Sequence, residues 1–298
     1  MNPGAYGGNV VADLEPEEIA ASAEALYKQR MEDLGKDDPA TYKCLPQGPR
    51  AIIGGGWAKI IQTRSLVAIL YEDLSYRQIF LDGRKLPADP NPSFLGYSVG
   101  RWEGDTLVVE SLGFNDRTWL DFGGHPHTEA LRITERIRRK DLGHLELKVT
   151  FEDKALYSRS WTIPVSVDLV TDTEMLEYVC NENEKDYSHI VGKRSDDKKY
   201  AVKVPVETLS AYVGAYEFRA PEDPKFVMIL NVTLSSDTLF VDVAGKDKQE
   251  LIPLSESTFS MVGGRLDFVR NEQHAVTHMI FHAVEGDMKA VRQTPARK

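Results

Sequence analysis

The sequence predicts an all-β chain: an antiparallel β-barrel behind a helical N-terminal arm, followed by a second, smaller β-barrel. Three observations carry this. Most of the chain beyond residue 58 alternates apolar and polar side chains with period two, as half-buried strands do. The runs are short and end in tight turns such as Gly104-Asp105 and Asp141-Leu142-Gly143, at hairpin spacing. A single segment has helical periodicity, so the strand–helix–strand rhythm of a parallel sheet is missing.

The helical segment is expected over 15–34. Pro16 with Glu17 and Glu18 suits its start and Gly35 its end, while Ile19, Ala23, Leu26, Tyr27, Arg30 and Met31 form a partly apolar face. After the turn-rich KDDPATYKCLPQGPR, strands are expected at 59–63, 66–71, 76–81, 97–103, 106–111, 129–138, 144–151, 157–165 and 175–181. The polar run NENEKDYSHIVGKRSDDKK, 181–199, reads as a boundary. LSAYVGAY then leads into strands at 226–234, 238–243, 250–255, 258–261, 265–270, 276–282 and 288–292, spaced by turns at 235–237, Gly245, Gly263-Gly264 and Gly286-Asp287. The plan is an arm over 1–50, a site-bearing barrel over 51–192, a linker over 193–205 and a small β-domain over 206–298.

A chain of 298 residues is long enough for two domains and for a core that needs no metal or disulfide. With 42% hydrophobic and 28% charged residues it sits in the ordinary globular range. No run approaches the roughly 20 apolar residues of a spanning helix, so no membrane partner is expected. The net charge of −10 argues against nucleic acid as a partner. The opening MNPGAYGGNVVADL lacks a basic stretch followed by an apolar core and is not read as a signal peptide. Cys44 and Cys180 have no metal-ligand spacing, and two buried thiols are expected ahead of a disulfide between them.

The densest chemistry lies in GFNDRTWLDFGGHPHTEALRITER, 113–136, which holds Asp116, Asp121, His125, His127, Glu129 and Glu135 around Trp119. If this stretch is a strand, His125, His127 and Glu129 share one face, which Leu131, Ile133, Glu135 and Ile137 continue into the core. Imidazoles and carboxylates above an apolar floor can exchange protons near neutrality. Three readings compete: a surface loop of ordinary polar content, acid/base catalysis, and a metal site on His125, His127 and Glu129. Two imidazoles and a carboxylate suit zinc or non-haem iron. Pro126 bends the segment and no further ligand strand is evident, so no metal or other cofactor is expected.

Further candidates are charges on core-facing parity. Arg77 alternates with Ile79 and Leu81, and Glu110 shares the parity of Val108 and Leu112. They either pair with each other or another charge, or act as an anion clamp and a proton acceptor. Tyr71, Tyr97, Trp102, Trp119, Trp161 and Tyr178 are candidates to line an aromatic pocket, although strand aromatics are more often core. Gly54-Gly55-Gly56 lacks the Lys-Ser/Thr of a phosphate loop. His274, His278 and His282 recur every four residues in a strand pattern, where that spacing rarely closes a site. RIRRK, 136–140, reads as a solvated turn, and GxSxG, SxxK and HExxH are absent.

The block GYSVGRWEGDTLVVESLGFNDRTWLDFGGHPHTEALRITERIRR, with RQIFLDGRKLP before it and MLEYVCNENEKD after it, resembles a widespread bacterial family of uncharacterised exported proteins. The likeness runs over about residues 25–192. It implies a periplasmic or exported setting and supplies no catalytic residue. The segment from Val206 onward is similar to the small lipocalin-like β-domain often appended to beta-lactamase-like serine hydrolases, and the barrel before it is expected to be lipocalin-like too.

The function expected from the residues is cofactor-independent acid/base chemistry, a lyase or isomerase ahead of a hydrolase, on a small hydrophobic or aromatic molecule. His127 is the expected proton shuttle, oriented by Asp116 or Asp121. Glu129 or Glu110 is the second acid/base, and Arg77 stabilises developing negative charge. Tyr71, Trp102, Trp119, His125 and Tyr178 would bind the substrate. The alternatives are a non-catalytic protein that binds a small hydrophobic ligand, with a homodimer as an open state of assembly, and a metal enzyme.

Overall fold

The computed structural model describes residues 9–54, 56–182, 193–219, 227–243, 246–261, 264–283 and 286–293. The chain divides into two compact units, Met1–Arg30 with Gly35–Val191 and Met31–Leu34 with Gly192–Lys298. Among the described residues, no helix is long and apolar enough to cross a membrane.

The N-terminal arm holds a 3₁₀ turn at Pro16–Glu18, helix α1 (Ala21–Glu32), which belongs to the first unit as far as Arg30, the short α2 (Pro39–Tyr42) and a 3₁₀ turn at Gly48–Ile52. The single helix expected over 15–34 is interrupted. Glu18 reaches back to accept from the Glu15 N–H at 2.8 Å, and Ile19 then forms an isolated bridge with Tyr157 before α1 begins. Asp38 caps α2 through the Ala40 N–H at 3.0 Å and holds buried Arg50 by two bonds, at 2.9 and 3.0 Å.

Eight strands follow: β1 (Ala58–Gln62), β2 (Leu66–Tyr71), β3 (Tyr76–Phe80), β4 (Tyr97–Glu103), β5 (Thr106–Leu112), β6 (Arg132–Arg139), β7 (His144–Glu152) and β8 (Trp161–Asp168). They form one sheet in chain order. All neighbours are antiparallel except β3 and β4, which pair in parallel through Ile79↔Ser98 and Phe80↔Val99. The sheet keeps two edges, β1 and β8, and Pro164 sits on the second, where a missing N–H is tolerated. Ile133, Val149, Phe151 and Ile163 of β6–β8 form a core with Val10 and Val11 of the arm and with Phe114 and Leu120 of the β5–β6 loop.

Three expected strands of this unit change, each because another partner takes the backbone; in the second unit a strand not expected lies at Gly214–Arg219, and the one expected over 250–255 runs Lys246–Pro253. At 129–131 the Thr128 N–H goes to Asp153 Oδ2 at 2.6 Å and Leu131 N closes a turn on Thr128 O at 3.1 Å, so β6 begins only at Arg132. At 157–160 a turn on the Asp153 carbonyl holds Leu156 and Tyr157, so β8 begins at Trp161. At 175–181 there is no strand: Tyr178 N bonds Glu72 O at 2.6 Å, and Cys180 is covalently bound. Cys180 forms a disulfide with Cys44, with Cα atoms 5.5 Å apart, in place of the two free thiols expected.

The second unit opens with α3 (Arg194–Lys199) inside the segment expected to be a linker. Its start is fixed by the Lys193 N–H donating to Asp196 Oδ2 at 2.7 Å. Then come α4 (Val206–Tyr212), β9 (Gly214–Arg219), β10 (Val227–Ser235), β11 (Thr238–Val243), β12 (Lys246–Pro253), β13 (Thr258–Met261), β14 (Gly264–Arg270), β15 (Val276–Ala283) and β16 (Gly286–Arg292). This sheet closes into a barrel, because β9 pairs with both β10 and β16. Its core includes Tyr212 stacked on Phe268 at 4.2 Å, with Phe259 edge-on to both.

Candidate functional site

The loop from β5 to β6, residues 113–131, carries most of the candidates. Leu120 N donates to the His125 carbonyl at 2.8 Å, which turns the loop back on itself. Gly124 takes φ +96, a left-handed value natural to glycine, and a Cβ there would lie 3.3 Å from the Trp119 ring and 3.4 Å from Arg30. His125 and His127 therefore sit in an irregular loop, not on alternate positions of a strand. Both are 4% exposed, whereas Glu129 faces solvent and does not join them.

Asp121 orients His125, not His127. The His125 Nδ1–H donates to Asp121 Oδ2 at 2.7 Å, and the same carboxylate accepts the His125 N–H at 3.0 Å and the Val10 N–H at 2.9 Å. Burial alone would raise the Asp121 carboxyl. The His125 ring and the two backbone N–H groups overcome that and hold it below the usual carboxylate range. With Nδ1 so engaged, His125 Nε2 has no hydrogen-bond partner among the described residues. Two residues of α1 cover the pair. The Tyr27 ring stacks on the imidazole at 4.0 Å, and Arg30 donates to the Gly124 carbonyl at 2.7 Å while lying 4.9 Å from the Trp119 ring.

His127 is held differently. The buried Thr118 hydroxyl donates to Nε2 at 3.0 Å, and Nδ1–H donates to the Thr128 carbonyl at 3.3 Å. Burial pushes the imidazole pKa down to about 4, so the ring is neutral at pH 7. A proton shuttle at His127, oriented by Asp116 or Asp121, is therefore not assembled: Asp116 is exposed and Asp121 is taken by His125. Neutral His127 also sets a pH dependence. The folded pKa near 4 lies below the unfolded value of about 6.5, so the contribution is complete above pH 6.5 and is lost as pH falls toward 4. Between pH 7 and 5 the first unit is expected to lose about 2 kcal/mol through this residue. Urea titrations at the two pH values check this, and His127→Gln should flatten the difference.

A second buried polar cluster lies on the sheet. Arg77 of β3 reaches across β4 and β5, donating to Ser98 Oγ at 3.1 Å and Ser111 Oγ at 2.8 Å, and grips Glu135 of β6 with two guanidinium nitrogens. The two serines share a hydrogen bond of 2.9 Å. Tyr71 lies against Arg77, and burial pushes its phenol up to about 12. The Arg77 charge is thus met by Glu135 and not by Glu110, which points to the other face of β5 and pairs with Arg101 at 3.2 Å.

The remaining candidates do not gather at either cluster. Trp102 and Tyr178 are half exposed, Trp161 is core and donates to the Val10 carbonyl at 2.7 Å, and Tyr97 bonds Arg84 at the surface. Among the described residues no three His, Cys, Asp or Glu side chains converge as a metal site, and the set His125, His127 and Glu129 is split by the exposure of Glu129.

Comparison with known protein families, curated proteins and solved structures finds no match to this chain. Function therefore has to be argued from the site. A carboxylate-oriented imidazole with one ring nitrogen open is equipped to accept and return a proton. Sequence reasoning missed Tyr27, Arg30, Thr118 and the Glu135 partnership. Tyr27 and Arg30 had a signal, since residues three apart share a helix face. Glu135 had one too, as a charge on core-facing parity that needs a buried cation. Thr118 had none.

Proposed function

We propose that the first unit is a cofactor-independent acid/base enzyme acting on a small, largely apolar molecule, with His125 as the proton-transferring group and Asp121 as its positioning residue. The observation that carries this reading is the 2.7 Å bond from His125 Nδ1 to a wholly buried carboxylate, which fixes the tautomer and leaves Nε2 open. No Ser, Thr or Cys is hydrogen-bonded to His125 among the described residues. Proton abstraction and return, as in a lyase or isomerase, is favoured over covalent catalysis on that ground. The rings of Tyr27 and Trp119 beside the loop suit an apolar or aromatic substrate. Tyr27 lies over the imidazole from α1, of whose residues only Ala23 is buried. A Cys44–Cys180 disulfide is a link that persists in oxidising compartments, which supports an exported setting.

The test is exchange of carbon-bound protons with D₂O, followed by proton NMR over a panel of aryl ketones and aryl-substituted carboxylates. Wild-type protein is expected to exchange at least one of them, and His125→Gln to slow it by roughly 10²–10⁴-fold. No exchange by the wild type, or equal exchange by the variant, removes this chemistry.

A second reading, a non-catalytic small-ligand binder, rests on the closure of the same site. Asp121 accepts from Val10 as well as His125, so the pair also pins the arm to the loop. A ligand that binds wild type and His125→Gln alike, with no exchange in either, would favour that reading.

A further inference from the structure

We propose that the end of the second unit's barrel is a binding site for a free α-amino acid with an apolar side chain. A cavity of about 500 Å³ lies there, within the usual range for small-molecule sites. One wall is α4, which contributes Glu207, Thr208, Ala211 and Tyr212; the other comprises Glu256 and Ser257 from the β12–β13 turn, with Arg270 and His274 at the β14–β15 turn.

The chemistry of this lining is that of a zwitterion site. Arg270 ends β14 with its guanidinium 4.9 Å from the Tyr212 ring, and its Nη1 donates to the His274 carbonyl at 2.9 Å. That bond uses one edge of the fork, and no other Arg270 donor has a hydrogen bond among the described residues. A ligand carboxylate fits this remaining edge, since guanidinium is shaped for planar oxyanions. Glu207 and Glu256 offer carboxylates to an ammonium, the Thr208 and Ser257 hydroxyls can satisfy further polar atoms, and the partly buried Ala211 methyl gives an apolar contact above the core ring of Tyr212.

The frame is set before any ligand arrives. The Tyr212 hydroxyl donates to the Glu256 carbonyl at 3.1 Å, tying α4 to the β12–β13 turn. The β14–β15 turn is closed by Asn271, whose side chain accepts the Gln273 and Ala275 N–H groups at 3.1 and 2.9 Å. His274 is held at φ +61 within it, and its carbonyl fixes Arg270. A fixed guanidinium facing carboxylates on the other wall recognises a molecule that carries both charges, and discriminates against one that carries either alone.

The test uses the full chain with L-phenylalanine, phenethylamine, which lacks the carboxylate, and 3-phenylpropionate, which lacks the ammonium. Calorimetry and amide NMR are expected to show saturable binding of L-phenylalanine, with shifts confined to α4 and the two turns. Each truncated analogue should bind about tenfold or more weakly, because one charge-assisted hydrogen-bonded group is lost. Arg270→Gln should weaken L-phenylalanine by a similar factor. Glu207→Gln, at an exposed position on α4, should do so with the fold intact. No shifts at these residues at millimolar L-phenylalanine would overturn the proposal. So would equal binding of all three probes, or Glu207→Gln and Arg270→Gln proteins that fold and bind as wild type.

Discussion

Glu135→Ala is expected to destabilise the first unit by about 3–5 kcal/mol, because it leaves the Arg77 guanidinium buried without its counter-charge. Arg77 and Glu135 are each at most 2% exposed, so water cannot take the place of the lost carboxylate. Ser98 and Ser111 hydrogen-bond Arg77 but carry no charge to balance it. The double variant Arg77→Met, Glu135→Leu separates the cost of breaking the pair from the worth of having it. It removes both charges and leaves the serines bonded to each other at 2.9 Å, and is expected to be neutral or stabilising relative to wild type. Urea unfolding followed by tryptophan fluorescence measures both. A loss below about 1 kcal/mol in Glu135→Ala would mean that Arg77 finds another partner or reaches solvent.

Removing the Cys44–Cys180 disulfide is the second change with a large expected effect. It closes a loop of sequence separation 136, and the chain-entropy model for so long a loop gives about 5 kcal/mol as an upper bound, with about 2–4 kcal/mol typical. A Cys44→Ser, Cys180→Ser variant, or wild type held in reductant, is expected to melt about 6–12 °C lower in the transition of the first unit. Intact-mass analysis before and after alkylation counts the thiols independently. An unchanged melting temperature on reduction, or two alkylated thiols in the oxidised protein, contradicts the bond.

The fold was legible where backbone pattern alone decides it. Period-two alternation placed β2, β4, β5 and β7 within a residue or so, since strands whose ladders run uninterrupted leave their full signature in the side chains. It misplaced the starts of β6 and β8, because Asp153 takes the amide of Thr128 while its own carbonyl holds Leu156 and Tyr157, and a side chain's claim on a distant amide has no period. Barrels were expected of both units: the second closes, through β9 and β16, while the first is a curled sheet that keeps its edges at β1 and β8. Whether a first and last strand meet depends on curl accumulated over eight strands, which no local pattern records.

The candidate site was half legible. Composition drew attention to the β5–β6 loop, where Asp121 pairs with His125 and Arg30 links Gly124 to Trp119. The expected pairing of Asp121 with His127 is replaced by one with His125 because the loop is irregular: once Gly124 turns the backbone, strand parity no longer says which imidazole meets the aspartate. The arm residues that cover His125 come from a helix about a hundred positions earlier, and no local motif links the two.

The closure of the second barrel through β9 and β16 has a consequence for how the chain is made. β9 is the first strand of that unit and has to wait for the last before its second edge is paired, as Ala290↔Phe218 and Arg292↔Tyr216 record. During synthesis the growing meander therefore exposes two unpaired edges until β16 emerges, so the β9–β16 seam is the last to pair, and a ribosome stalled short of β16 holds a sheet with an open seam.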